Sequence, residues 1–193
     1  YDIVSTEDFL FLVMDIVDGG NSWGWTRAYG KMPEKMVCRS MLDIVAAVGS
    51  LHQAGIIHRD IKPSNLLINN QGRLQITDFG IARFHRPEAQ QTQTGIVMGT
   101  YGYMAPEQLA SARLVTPQSD VFSLGASLYA LCTSKVPKDL FMVKHKPALL
   151  EGLSKPVQHI ILNACAYDKE DRFSSTHELH QAIVEAIANL PDI

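Results

Sequence analysis

Asp60, Lys62 and Asn65 stand within IIHRDIKPSNLLI (56–68), an acid, a base and an amide at offsets of two and five between two apolar arms. Arms of Ile, Leu and Pro can be buried while the polar residues between them face a cleft, so the stretch reads as a loop that presents side chains from a rigid base. A second acid, Asp78, follows in LQITDFG, 18 residues beyond Asp60. A carboxylate and an amide oxygen are hard donors suited to Mg²⁺ on nucleotide phosphates, which makes Asp78 and Asn65 candidate metal ligands. Asp60 is then left to act as a base. Residues two apart in extended backbone share a side, so Lys62 can meet a phosphoryl group attacked by a hydroxyl near Asp60.

Elements on both sides must hold these side chains. Leu66 to Ile68 and Leu74 to Ile76 flank NNQG and predict a hairpin that folds Asp78 back toward Asp60. Phe9 to Val13 reads as a buried strand, and VDGGNSWG ends it with turn residues. Pro33 and Glu34 open a helix with one apolar face of Val37, Met41, Ile44, Val48 and Leu51, stopped by Gly55. No charge occurs from Val121 to Cys132, which predicts a helix buried all round. Two amphipathic helices follow. One comes after Pro156 with Val157, Ile160, Ile161 and Ala164; the other begins at Ser175, where Glu178 completes a capping box ahead of Leu179, Ile183, Ile187 and Leu190. The pattern is α+β and mainly helical, without an internal repeat.

With 193 residues, 46% of them hydrophobic, the chain can form one domain with a sizeable core. A net charge of -3 speaks against nucleic acid or an anionic membrane as the main partner. No apolar run approaches the roughly 20 residues of a membrane span. Cys38, Cys132 and Cys165 sit in apolar helical contexts and read as reduced core thiols of a cytoplasmic protein. The first residue is Tyr1 and strand-like sequence follows at once, so the chain reads as a fragment.

Three motifs in order resemble the protein-kinase family. His58-Arg59-Asp60 with Lys62 and Asn65 is similar to its catalytic loop, Asp78-Phe79-Gly80 to its metal-binding motif, and Ala105-Pro106-Glu107 to the end of its activation segment. Singly, DFG is more readily a turn, APE a proline near a helix start, and His58 a satisfied core histidine. The joint pattern outweighs those readings. His177 and His180, three apart on a helix, read as a solvated face, since no third ligand is evident.

The resemblance implies the large, mainly helical lobe of a kinase over 19–193, with the last small-lobe strands and the hinge over 1–18. Within FLFLVMDIVDGG it makes Met14 the gatekeeper, sets backbone groups of Asp15 and Val17 against adenine, and closes the pocket from below with Leu67. Asp60 becomes the catalytic base, and Lys62 and Asn65 face the phosphates of ATP. Asn65 and Asp78 would hold Mg²⁺, or Mn²⁺ in its place. His58 packs beneath Phe79 as a structural residue. Asp120 in SDVFSLG caps the buried helix and braces the catalytic loop through its backbone; Phe122 replaces the family's usual Trp. Arg172 forms a buried pair with Glu107. Lys62 followed by PSN, and Thr100 in GTYGYMAPE, resemble the serine/threonine branch, in which Thr100 bonds Asp60 and Lys62. QQTQTGIVMGT is similar to the activation loop of bacterial receptor-type kinases. Thr92 and Thr94 are its phosphorylation candidates, with Arg59 and Arg83 to hold the phosphate; a polar loop without a switch is the alternative.

The function so implied is transfer of the γ-phosphoryl group of ATP to Ser or Thr hydroxyls of a protein. A catalytically silent lobe that binds a partner protein, and a small-molecule phosphotransferase, are the alternatives. Intact Asp60, Asn65 and Asp78 count against the first, and Lys62 with the GTYGYMAPE platform against the second. No G-x-G-x-x-G occurs and no lysine precedes Lys31, so the parts that cover the nucleotide are expected upstream of Tyr1. Apolar surface left bare around Phe79 and Leu67 would favour self-association or a partner that covers it.

Overall fold

In the computed structural model, residues 2–6, 9–78 and 101–192 are described. Strands β1 (Asp2–Ser5) and β2 (Leu10–Val13) pair antiparallel, with Asp2 opposite Val13 and Ser5 opposite Leu10. Strand β1 was implied only by the family resemblance, since DIVS is too short to show alternation. The expectation of a buried strand is corrected, since Phe9, Phe11 and Val13 are 65%, 52% and 49% exposed. A two-stranded ribbon offers both faces to solvent unless another element covers one. The run of apolar residues signals a need for cover rather than its presence.

After β2 the chain meets the expected hairpin of β3 (Leu66–Ile68) and β4 (Leu74–Ile76), which pair antiparallel with Leu66 opposite Ile76 and Ile68 opposite Leu74. Gly19 N–H donates to the Ile68 carbonyl at 3.0 Å, and Ile68 N–H donates to Gly20 at 2.9 Å. A β-carbon on Gly19 would collide with that carbonyl, so only glycine allows this approach.

Part of the stretch read as a turn is a helix, α1 (Ser22–Tyr29). Asn21 caps it, its Oδ1 accepting from Gly24 N–H at 2.8 Å, and Trp23 and Trp25 pack against the core. The glycines on either side of Asn21 hid that start.

The four longer helices that follow were expected. Helix α2 (Glu34–Gln53) buries Val37, Met41, Ile44 and Val48, and Gly55 turns the chain away with φ of 74°. Beyond a short α3 (Pro106–Ala110), helix α4 (Pro117–Thr133) is buried at every position from Ser119 to Cys132. Helix α5 (Lys155–Ala164) packs on it, and α6 (Thr176–Asn189) packs on α2, α4 and α5. Gly125 lets α5 approach, since a β-carbon there would lie 2.9 Å from Cys165 Sγ. At the start of α6, Ser175 Oγ accepts from Glu178 N–H at 3.3 Å. The Glu178 carboxylate, however, takes the N–H of Ser174 at 2.8 Å, so the capping box closes one residue early.

Cys38, Cys132 and Cys165 are free and buried, and burial pushes the Cys38 thiol up to about 12. No helix among the described residues is long and apolar enough to cross a membrane.

Candidate active site

The loop between α2 and β3 hangs from α4. Asp120, fully buried, accepts from His58 N–H at 2.8 Å and from Arg59 N–H at 2.9 Å, one bond to each carboxylate oxygen. Its Oδ2 also lies 2.8 Å from His52 Nε2 on α2. Asp120 is not the helix cap, as had been expected; Thr116 holds that place, and Asp120 sits one turn in, where α4 faces the loop. From the other side, Gln108 Nε2 donates to the Arg59 carbonyl at 2.6 Å. Both peptide groups of Arg59 are thereby fixed, which holds it in the left-handed region at φ of 68°. Non-glycine residues rarely adopt that conformation without surroundings that enforce it.

That turn aims the next side chains. His58 is buried, and burial pushes its imidazole below its usual range against the opposing pull of Asp120 and Asp60. A neutral ring suits its contact, in which Nδ1 accepts from Asp60 N–H at 3.3 Å. Asp60 Oδ2 meets Lys62 Nζ at 2.9 Å and Asn65 Nδ2 at 3.1 Å. Asn65 Nδ2 also donates to the Asp60 carbonyl at 2.8 Å. Because the carboxylate only accepts, the amide must turn its NH₂ toward Asp60 and its oxygen elsewhere. A 3₁₀ turn over Pro63–Asn65 seats the group, tied to α1 by Ser22 Oγ on the Pro63 carbonyl at 2.8 Å.

Asp78 arrives from the hairpin. Thr77 N–H donates to the Asn65 carbonyl at 3.0 Å, which places the two candidate metal ligands on neighbouring backbone. Asp78 is exposed, with φ of 58°. It lines an open cleft of about 910 Å³ together with Met14, Asp15, Val17 and Leu67, the residues expected around adenine. Met14 Sδ sits 3.8 Å from Thr77 Oγ1. Asp60, Lys62 and Asn65 are not among the residues that line that cleft; Asn65 stands at the Leu66 end of β3, the end it shares with Thr77 and Asp78 of the cleft. Among the described residues no three His, Cys, Asp or Glu gather as a metal site of their own.

Glu107 and Arg172 meet in a two-pronged pair, Nη1 to Oε1 at 2.8 Å and Nη2 to Oε2 at 2.9 Å. The Arg172 side chain is fully buried, and its other donors reach the carbonyls of Ala166, Gln118 and Tyr167. Burial alone would raise the Glu107 carboxyl; bonds from Arg172 and from Ser119 Oγ outweigh it and hold the group below its usual range. Phe122, at the position where the family carries Trp, lies under the guanidinium, 5.2 Å from ring centre to Cζ. Phe79, Gly80, Arg83, Thr92, Thr94 and Thr100 fall outside the described residues. Gln108, His52 and Ser22 were not singled out from sequence. Each acts across more than 40 residues of chain, and nothing in local spacing marks such a contact.

The model of the family described as "Protein kinase domain" matches residues 1–184. The chain belongs to the protein kinase family. Among curated relatives, the serine/threonine-protein kinase PrkC of Bacillus subtilis is 33% identical over 96% of this chain and 30% of its own length. PknB of Mycobacterium leprae is 31% identical over 94% of this chain and 31% of its own. PknL of Mycobacterium tuberculosis is 31% identical over 92% and 47%. The chain is thus a serine/threonine kinase by family, with the mainly helical, kinase-like fold expected, and it spans about a third of the length of PrkC and PknB. Kinases of this family use ATP with Mg²⁺ and act on proteins.

Proposed function

We propose that this chain supplies the base, the metal ligands and the peptide platform of a serine/threonine kinase catalytic domain, which transfers the γ-phosphoryl group of ATP to a protein hydroxyl. The observation that carries this reading is the cluster of Asp60, Lys62 and Asn65 on a strained turn fixed by Asp120 and Gln108. Lys62 and Asn65 both hold Asp60 Oδ2, which sets the plane of the carboxylate. In that orientation Asp60 accepts the proton of a substrate Ser or Thr hydroxyl as its oxygen attacks phosphorus. Lys62, beside the base, offers its charge to the transferred group.

The donor set fits Mg²⁺. Asn65 and Asp78 offer one amide oxygen and one carboxylate, which suits an ion that fills its other positions with phosphate and water; Mn²⁺ takes the same donors. Bound there, the ion neutralises charge on the phosphates during transfer. Met14, Asp15, Val17 and Leu67 line the cleft proposed for adenine. The proposed division runs 1–18 for small-lobe strands and hinge, and 19–193 for the large lobe. Arg59, Arg83, Thr92, Thr94 and Thr100 keep the regulatory and positioning roles that the resemblance implies. Three buried free thiols support a reducing, cytoplasmic setting. The exposed β1–β2 ribbon supports self-association, or cover by another surface.

The test is Asp60→Asn in a polypeptide that joins this chain to a glycine-rich loop and strand lysine. Phosphotransfer to a serine peptide is expected to fall about 10²- to 10⁴-fold, with nucleotide affinity and melting temperature nearly unchanged. Wild-type turnover in that variant would remove Asp60 from the mechanism.

A further inference from the structure

The chain is acidic in total, 20 acids against 17 Lys and Arg, yet Ser134 to Lys146 holds four lysines and a single acid, Asp139. Two of the four are matched, Lys144 Nζ to Asp171 at 2.7 Å and Lys146 Nζ to Asp139 at 3.3 Å. Lys135 and Lys138 are exposed and have no ion-pair partner among the described residues. Both flank Pro137, which is buried. Lys138 N–H returns to the Val136 carbonyl at 2.8 Å and turns the chain tightly about that proline.

Pro137 packs against the segment that leads into Ala105-Pro106-Glu107. Its carbonyl lies so close to Gly102 that a β-carbon there would stand 2.8 Å from the oxygen. The segment itself is fixed to α4, with Ser123 Oγ on the Tyr103 carbonyl at 2.7 Å, and to Arg172 through Glu107. The other side of the contact is anchored too: Ser134 closes α4 in the left-handed conformation, and Lys135 N–H bonds Thr133 Oγ1 at 3.2 Å. Two unmatched cations are therefore held on a rigid base beside the surface proposed to receive the peptide.

We propose that Lys135 and Lys138 form a basic rim on the peptide platform and select protein substrates whose Ser or Thr lies among Asp and Glu residues, an inference that rests on the kinase reading above. Acidic side chains gain Coulomb energy at the rim, while Lys and Arg in a competing peptide are repelled. An extended anionic surface such as a bilayer fits less well, because it would also face the acids that dominate the chain elsewhere.

The test measures binding, by fluorescence anisotropy, of short serine-centred peptides flanked by Asp and Glu, by Gln, or by Lys. The proteins are residues 1–193, its Lys135→Glu/Lys138→Glu variant, and Lys155→Glu as a control for bulk charge, each checked by thermal melting. The acidic peptide is expected to bind the unmodified chain about five- to tenfold more tightly than the Gln peptide, with the margin shrinking in salt. The double variant should lose that preference and turn to the Lys peptide. A preference that survives the double reversal, or that Lys155→Glu abolishes equally, overturns the rim. Equal binding of all three peptides overturns the rim and leaves the platform standing; no binding of any peptide overturns both. Lysine-dependent binding to phosphatidylserine vesicles without peptide preference would assign the lysines to a membrane instead.

Discussion

Asp120 and Arg172 are fully buried, whereas Phe9 and Ile16 are 65% and 88% exposed. The α4 frame and the β1–β2 ribbon with its hinge thus invert the usual placement of charge and apolar surface. In the frame each buried charge has a full set of partners: Asp120 takes two backbone N–H groups and His52, and Arg172 takes Glu107 and three carbonyls. Charge is tolerated inside because both Asp120 oxygens accept and every N–H of the Arg172 guanidinium donates. The ribbon has the opposite composition and no cover among the described residues. Buried, satisfied charge marks where geometry must be held, and bare apolar strands mark where another surface is needed.

Unpairing the frame should give the largest effect. Arg172→Ala leaves Glu107 charged in a partly buried place and strips three carbonyls of donors, so a loss of about 3 to 5 kcal/mol is expected in urea unfolding. A loss near zero would mean that the pair does not bear on the frame. Asp120→Ala comes next, at roughly 2 to 4 kcal/mol, because two loop N–H groups lose their acceptor. Amide exchange at His58 and Arg59 should accelerate more than in α6; equal acceleration would deny Asp120 a local role.

A weaker probe is pH. Burial keeps His58 neutral in the folded chain below the ordinary imidazole value, so its contribution is complete above about 6.5 and is lost as the pH falls toward the lower folded value. Urea stability should decline on acidification from neutral, and His58→Gln should flatten that slope. Glu107 adds a second decline at lower pH, its depressed carboxyl contributing above the ordinary carboxylate value and losing that contribution as it protonates. The ribbon should respond least. Phe11→Asp is expected to change stability by under about 0.5 kcal/mol while lowering the association state seen by light scattering. A large destabilisation would show that Phe11 is covered.

How much was legible follows the same divide. Asp60, Lys62 and Asn65 could be read because all three lie within one short loop, where spacing alone brings them together. Helices α2 and α6 could be read because burial of one face imposes a period on their residues, and α4 because no charge interrupts it. Strand β1 is too short for a period, and α1 begins among glycines that argue for a turn. The bracing of the loop by Asp120 came from family resemblance, and its position one turn inside α4 only from the structure. Gln108 could not be found at all: a side chain bonding a carbonyl 49 residues away leaves no local trace.

Helix α4 has no face toward water, and this bears on the order in which the molecule assembles. Its apolar residues give it nothing to gain as an isolated helix, so it becomes stable only as α2, α5 and α6 close around it. Asp120 takes its place at that moment, and the turn at Arg59 can be enforced only afterwards. The loop that carries Asp60 therefore depends for its geometry on a helix that is itself enclosed by three others. Chemistry of this kind is tied to the integrity of the whole lobe.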